Sequence, residues 1–400
     1  MPVPRKVPQK SMYLLRNPIK AYAWGSTTLM ARFMGHAPTG APEAEMWMGT
    51  HPGGPSTLTR GAQEEALTVR RQAEGHASGE LPFLLKLLAA GQPLSLQAHP
   101  NPQQALEGYG RENAAGIPLS APERCYKDPH AKPELIVALT PFEALSGFRT
   151  MSDIYASLAN TSVEYIDSSV VLAAAAGDGA GQRLLFTTWM ADRAGSLADA
   201  LRDFLPCAEH VLAPATFAWW SAAAQTFPGD ATVLVALLLE HLCLKPGEGV
   251  FLPAGNLHAY LSGLGIEIMG PSDNVLRGGM TPKHVDVGEL CRVLRFEPYK
   301  PNVLTAIASA AAPVSWPTPE APFCLATESV RYAREWVPNR VDEIVLCTGG
   351  APVFDDNLVL APGHALYVSR QAPPARVSGE GSWVRASSNQ ALWSAKEGIS

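Results

Sequence analysis

The sequence predicts a mainly β chain interrupted by one helical insertion. Three observations carry that prediction. Residues 1 to about 150 hold short apolar runs broken by Gly and Pro, among them LPFLLKLLAA, PLSLQAHP and KPELIVALTPFEALSGF, which suit strands and tight turns better than long helices. From Ser152 to about Leu242 the texture changes to Ala- and Leu-rich segments whose apolar residues fall three and four apart, the spacing of amphipathic helices. At Lys245 strand-length runs return, separated by PG, PAG and SG turns.

Composition limits what such a chain does. A hydrophobic fraction of 46% is enough for real cores, and 35 prolines and 34 glycines against only 17% charged residues fit a turn-rich chain. Four hundred residues hold two or three domains at roughly 100–200 residues each. The formal net charge is -6 with no long basic run, so neither nucleic acid nor an anionic membrane is an expected partner. The basic start MPVPRKVPQK is followed by no apolar stretch and does not read as a signal peptide. The most apolar stretch, Ala231 to Leu244, is broken by Glu240 and His241 and is too short to span a bilayer. Cys125, Cys207, Cys243, Cys291, Cys324 and Cys347 are scattered without CxxC pairs, which excludes a disulfide framework and a thiolate zinc cluster. A reducing cytoplasmic compartment, a small-molecule partner and a monomer are the expectations.

The elements follow in order. Pro102 to Asn113 reads as a helix capped by Asn101. GQRLLFTTWMADRAG, GSLADALRDFLPCAEHVL and FAWWSAAAQTF read as helices of the insertion. GVFLPAGNLHAYLS (249–262) and LVLAPGHALYVS (358–369) share one layout of apolar run, Pro-Gly turn and apolar run. His364 stands where the first copy has Asn256, and no His follows at the spacing of His258. This internal similarity suggests two β-sandwich units of cupin type, only one of them carrying metal chemistry. The predicted division is a discontinuous catalytic jelly-roll unit at 1–150 and 245–301, a helical insertion at 151–244, and a C-terminal cupin-like β unit at 302–400.

Side chains of a strand alternate faces. In PLSLQAHP, Leu94, Leu96 and Ala98 then share one face and Ser95, Gln97 and His99 the other. In HAKPELIVAL, Glu134 opens a strand with Lys132 on the same side. In GVFLPAGNLHAYLSG, His258 lies three residues past Gly255 and matches the position of a metal ligand in the second cupin motif. Each run alone also fits a solvated strand face, a surface ion pair or a core histidine. Together Gln97, His99, Glu134 and His258 make a mixed N/O donor set that suits a single catalytic Zn²⁺. One carboxylate with neutral donors leaves such a site at net +1, a stronger Lewis acid than a dicarboxylate site. Further on, Glu267 lies between Ile266 and Ile268 and points away from their apolar face, and Arg277 precedes Gly278 and Gly279, which permit close approach of backbone or ligand.

The stretches AYAWGS, AEMWMGTHPGGPS, LPFLLKLLAAGQPLSLQAHP, ENAAGIPLSAPERCYKDPHAKPELIVALTPFEALSGFR and GVFLPAGNLHAYLSGLGIEIMGPSDNVLRGGMTPKHVDV, in that order, resemble the type I mannose-6-phosphate isomerases of the cupin superfamily. The resemblance covers nearly the first 290 residues apart from the insertion. It implies zinc held by Gln97, His99, Glu134 and His258, with Arg277 across the cavity. It implies active-site roles for Lys132, Glu267 and Asp273, and phosphate contacts from Ser95, Lys86 and Lys283. The chain departs from the family pattern at Ala131, where a His is usual before the Lys (His130 comes one earlier), at Cys125 in place of Asn, and at Gly270-Pro271 in place of Ala-Asn.

The implied reaction moves a carbonyl between C1 and C2 of a sugar phosphate through an enediol or enediolate. It needs an oxyanion stabiliser, for which the metal and Arg277 are expected, and a base, for which Glu267, Lys132 and water on the metal are open. Ring opening is assigned to Asp273 or His99. Two other classes compete. A cupin oxygenase shares the two-His, one-carboxylate set of non-haem iron, and iron-dependent O₂ uptake would mark it. An inactive sugar-phosphate-binding cupin would bind without turnover.

Overall fold

The computed structural model describes residues 11–60, 63–309, 312–355 and 357–389. The decapeptide MPVPRKVPQK, and the signal-peptide reading that rests on it, lie outside these. The fold is mainly β with a helical segment, as the sequence predicts.

One eleven-stranded sheet builds the site. Its central strand is the twelve-residue His258–Met269. The second half of that strand pairs antiparallel with Leu84–Ala90 on one side and Glu134–Ala138 on the other. Its first half pairs with Leu96–Ala98 and Phe142–Phe148. The change of partners falls around Gly263, whose φ of 117° is closed to L side chains and where a β carbon would sit 2.6 Å from the Pro141 carbonyl oxygen. Glycine there lets one strand deliver His258 and Tyr260 from one half and Glu267 from the other.

Alternation then sorts the side chains. Leu85, Leu87, Leu135, Val137, Ile266 and Ile268 enter a core shared with Phe323, Leu325, Ile344 and Leu346 of the C-terminal part. Lys86, Glu134 and Glu267 turn the opposite way, into a cavity. The C-terminal strands thus cover the apolar face of the sheet whose other face carries the polar groups. Their nine-stranded sheet also takes in Met12–Arg16, which pairs with Ala365–Val368, and Thr57–Arg60. Arg71 is buried against Asp342, and Tyr367 donates to Glu74 at 2.8 Å. N-terminal residues therefore belong by hydrogen bonding to the sheet of the predicted 302–400 unit, a pairing of chain ends that no local pattern announces.

Helices Met151–Leu158, Glu164–Ala176, Ala180–Ala191, Ser196–Phe204, Ala208–Val211, Pro214–Thr226 and Thr232–Ala236 pack around Trp189, Trp220, Phe186 and Phe204. Thr150 caps the first of them by accepting from the Asp153 amide. The predicted helix at Pro102 forms as Pro102–Ala114, with Asn101 and Gln104 completing a reciprocal capping box. The helical texture stops earlier than its predicted end near Leu242–Leu244. Leu239–Leu244 is a strand on Phe142–Phe148. A short Leu-rich run fits a helix or a strand equally by pattern, and the open edge of Phe142–Phe148 decides for the strand. Among the described residues no helix is long and apolar enough to cross a membrane.

Candidate metal centre and its cavity

Strand register assembles the donors. Gln97 lies opposite His258, and Arg277, on the strand Leu276–Gly279, lies opposite Gln97. His99 follows directly after its strand, and Glu134 opens the strand Glu134–Ala138. His99 Nε2 comes to 3.4 Å from Glu134 Oε1, and His258 Nε2 to 3.3 Å from Glu134 Oε2, all three residues being buried.

The hydrogen bonds fix what these atoms offer. His99 Nδ1 meets the Asn274 carbonyl at 2.7 Å, and His258 Nδ1 meets the Asn256 carbonyl at 3.0 Å. A carbonyl only accepts, so both Nδ1 atoms carry the proton and a neutral ring presents a bare lone pair at Nε2. Those lone pairs face carboxylate oxygens, and His99 Nε2 and Glu134 Oε2 have no hydrogen-bond partner. Buried acceptors turned on one another are satisfied by a cation, with each imidazole oriented from behind by a backbone carbonyl. The set His99, Glu134 and His258 therefore fits Zn²⁺. Gln97 is adjacent, with its amide Nε2 3.4 Å from His258 Nε2. A half-turn of the carboxamide presents Oε1 instead, the atom a metal would take.

Charge supports the same arrangement. Burial, only partly offset by Glu134, pushes His99 down to about 4. Burial alone would raise Glu134, but Lys132, whose Nζ lies 2.9 Å from Oε1, and His99 outweigh it and hold the carboxyl well below the usual range. The metal-free protein should accordingly lose stability in acid. An unfolded His takes up its proton as pH falls through about 6.5, whereas folded His99 resists until about 4. The contribution is full above that window, falls through it by on the order of 3 kcal/mol, and is followed by the loss from protonating Glu134. Unfolding midpoints of the chelated protein measured between pH 7 and 4 should decline through this range. A flat profile would contradict it.

Beside the donors lies a second buried network. Glu267 sits opposite Lys86, and Lys86 opposite Trp47, in strand register. Lys86 Nζ lies 2.9 Å from Glu267 Oε2 and 3.5 Å from Glu45 Oε1. Tyr260 OH donates to Glu267 Oε1 at 2.9 Å, and Trp47 Nε1 donates to Glu45 at 2.7 Å. Burial opposes the charge on Lys86, but Glu267 and Glu45 overcome it and hold the ammonium above the usual lysine range. Burial and Glu267 keep the Tyr260 phenol protonated.

These groups floor a cavity of about 620 Å³, walled in part by Thr226 and Phe227 of the helical segment. Ser95, Gln97, Lys132, Glu134, Glu267, Arg277 and Lys283 all line it. Arg277 and Lys283 have no ion-pair partner among the described residues, unlike Lys86 and Lys132. Burial lowers both, and Arg277 lowers Lys283 further, so two cations stand close together without a carboxylate. Such a pair is suited to an anion. Lys86, with two carboxylates, is not available in the same way.

Asp273 is not among the lining groups. It is exposed, pairs with His51 Nε2 at 3.3 Å, and its amide is held by Asp128. His130 does not replace the missing His at Ala131: its ring is exposed, and its carbonyl is taken by Asn274 and Ser272. Cys125 is a buried thiol pushed up to about 12 by burial and Glu112. The glycines after Arg277 serve chain packing. At Gly279, φ 124°, a β carbon would lie 2.3 Å from the Thr232 side chain.

Sequence reasoning missed Tyr260, Glu45 and Asn274. Tyr260 was within reach, since period two from His258 puts both on one face. Glu45 carries the same signal in EMWM. Asn274 had none: it is fully buried, accepts from the amides of Lys127 and Asp128, donates to the carbonyls of Asp128 and His130, and its own carbonyl orients His99.

Residues 12–151 match the family described as phosphomannose isomerase type I, catalytic domain. The mannose-6-phosphate isomerase of Salmonella typhimurium is 36% identical over 391 residues, covering 94% of this chain and 99% of the relative. The human mannose-6-phosphate isomerase is 32% identical over 327 residues, covering 70% of this chain and 72% of its own. A crystal structure of mannose 6-phosphate isomerase with zinc bound superposes with a TM-score of 0.86 at 34% identity, covering 95% of this chain and 100% of that one.

Proposed function

The chain belongs to the type I mannose-6-phosphate isomerase family, and from that premise we infer how its own residues carry out the zinc-dependent interconversion of mannose 6-phosphate and fructose 6-phosphate. The observation that carries the reading is the convergence of two unprotonated Nε2 atoms, that of His99 without a hydrogen-bond partner, on the Glu134 carboxylate at the floor of a cavity with unpaired cations. His99, Glu134 and His258, with Gln97 as fourth donor, would hold the zinc. Bound there, it supplies a fixed positive charge toward oxygens that turn negative during the reaction.

The remaining work falls to side chains. Arg277 and Lys283 bind the 6-phosphate, which orients the sugar with its first two carbons toward the floor. Glu267 takes the proton from one of those carbons and returns it to the other. Lys86 and Tyr260, each hydrogen-bonded to one oxygen, hold that carboxylate in place. Lys132 stays bound to Glu134 and adds positive charge beside the enediolate. Asp273, exposed and paired with His51, is given no step. The unpaired cations and the Gln97 donor disfavour an oxygenase, and the complete donor set disfavours an inactive binder. We read the chain as a discontinuous catalytic unit, a helical insertion that walls the cavity, and a C-terminal β unit that covers the apolar face of the catalytic sheet. The six free cysteines fit a reducing cytoplasm.

The deciding assay follows conversion of mannose 6-phosphate to fructose 6-phosphate before and after chelation and again with zinc restored. Activity lost and recovered supports the reading; a folded, zinc-loaded but inactive chain overturns it. For the phosphate, Lys283→Ala should raise KM about tenfold, the loss of one charge-assisted contact, while kcat stays within about twofold. An unchanged KM would remove Lys283 from the anion site.

A further inference from the structure

A second group of donors lies outside the cavity, on the strand pair Phe142–Phe148 and Leu239–Leu244. Cys243 stands directly opposite Glu143, and His241, two residues earlier on the same strand, shares its face. His241 Nε2 lies 3.0 Å from Glu143 Oε2 and 3.8 Å from Cys243 Sγ, and the three donor atoms fall within 4.8 Å of one another. The Trp219 ring covers one side, 5.6 Å from the imidazole, and Cys243 is exposed on the other.

A tetrahedral ion with N and O donors at about 2.0–2.2 Å and S at about 2.3 Å places those donors roughly 3.3–3.7 Å apart. The two separations from His241 differ from that by only a few tenths of an ångström, and the third, within 4.8 Å, closes with side-chain movement of about an ångström at most. A thiolate, an imidazole and one carboxylate select borderline-soft cations and leave Mg²⁺ and Ca²⁺ aside. We propose that Glu143, His241 and Cys243 form a second metal site, on the surface, for a thiophilic divalent cation such as Zn²⁺ or Co²⁺, with a fourth position open to water or an external ligand. Binding replaces the thiol proton by the metal and releases that proton to solvent. Because that proton is released, occupancy increases with pH. The proposal is independent of the reaction assigned to the cavity.

Co²⁺ titration of the zinc-loaded protein tests it, because a thiolate-to-cobalt charge-transfer band can arise only at a site with a cysteine, and the cavity donors include none. The wild-type chain should take up one further equivalent and develop the band, more fully at higher pH. Cys243→Ser should lose both the band and the equivalent, and His241→Ala should weaken binding at least tenfold, each with isomerase activity within twofold of wild type. Circular dichroism checks that both variants are folded, and Glu143→Gln, which keeps the thiol, should weaken the band in the same way. No band in the wild type, or a band that survives Cys243→Ser, overturns the proposal and leaves His241 and Glu143 as an ordinary hydrogen-bonded pair.

Discussion

Glu134→Gln is expected to yield a folded chain that does not retain zinc and turns over at least about 10³-fold more slowly, the scale of losing a main electrostatic stabiliser. The reason lies in the charge count. Glu134 is the only anion among the four proposed donors, and both imidazoles turn Nε2 toward it, that of His99 without a hydrogen-bond partner. An amide keeps the shape, and its NH₂ can donate to one Nε2, so the metal-free fold gains a hydrogen bond where the wild type has orphaned acceptors. The same donation blocks the lone pair a metal needs, and the site loses its one negative charge. Metal content after dialysis, thermal midpoints with and without added zinc, and kcat check this together. Zinc should raise the wild-type midpoint and leave the variant's unmoved. A variant that keeps one zinc per chain and activity within tenfold would refute the donor assignment.

Glu267→Gln should lower kcat by about 10²–10⁴-fold with KM changed less than about threefold, because a base acts in the transition state more than in the ground state. It also removes the closer partner of a buried ammonium. Lys86 keeps only Glu45, at 3.5 Å, and breaking such a pair costs about 3–5 kcal/mol. Loss of activity could therefore follow from instability alone, and the double variant Lys86→Met/Glu267→Gln separates the two. With no ammonium left to satisfy, it should regain much of the stability and none of the turnover. Exchange of the substrate's transferred hydrogen with solvent should be lost in parallel. Turnover restored in the double variant would make Glu267 a structural partner of Lys86 and leave the base to Lys132 or water on the metal.

The local pattern carried a good deal of this. Period two placed Gln97 and His99 on one strand face and turned Glu267 away from Ile266 and Ile268; the Pro-x-Gly turn marked His258; Asn101 marked its helix. Where the pattern was ambiguous, it failed in a physical way. Leu239–Leu244 reads as the end of the helical segment and forms a strand, since a short Leu-rich run does not distinguish helix from strand until a neighbouring edge is present. Asp273 sits in a dense charged loop, and only the folded loop shows it exposed and paired with His51. Lys86 reads as a cation for phosphate, and the register adds that it lies opposite Glu267.

By itself, then, the sequence determined the residue types and their faces: the mainly β class, the helical segment, and the faces that carry the candidate donors. Only the tertiary structure decided partnership. It joined Met12–Arg16 to the C-terminal sheet, used Asn274 to aim His99, and left Arg277 and Lys283 unpaired while pairing Lys86 and Lys132. Faces follow from the covalent geometry of consecutive residues, which is local. Partners follow from which distant strands lie in register, and no run of neighbouring residues contains that information.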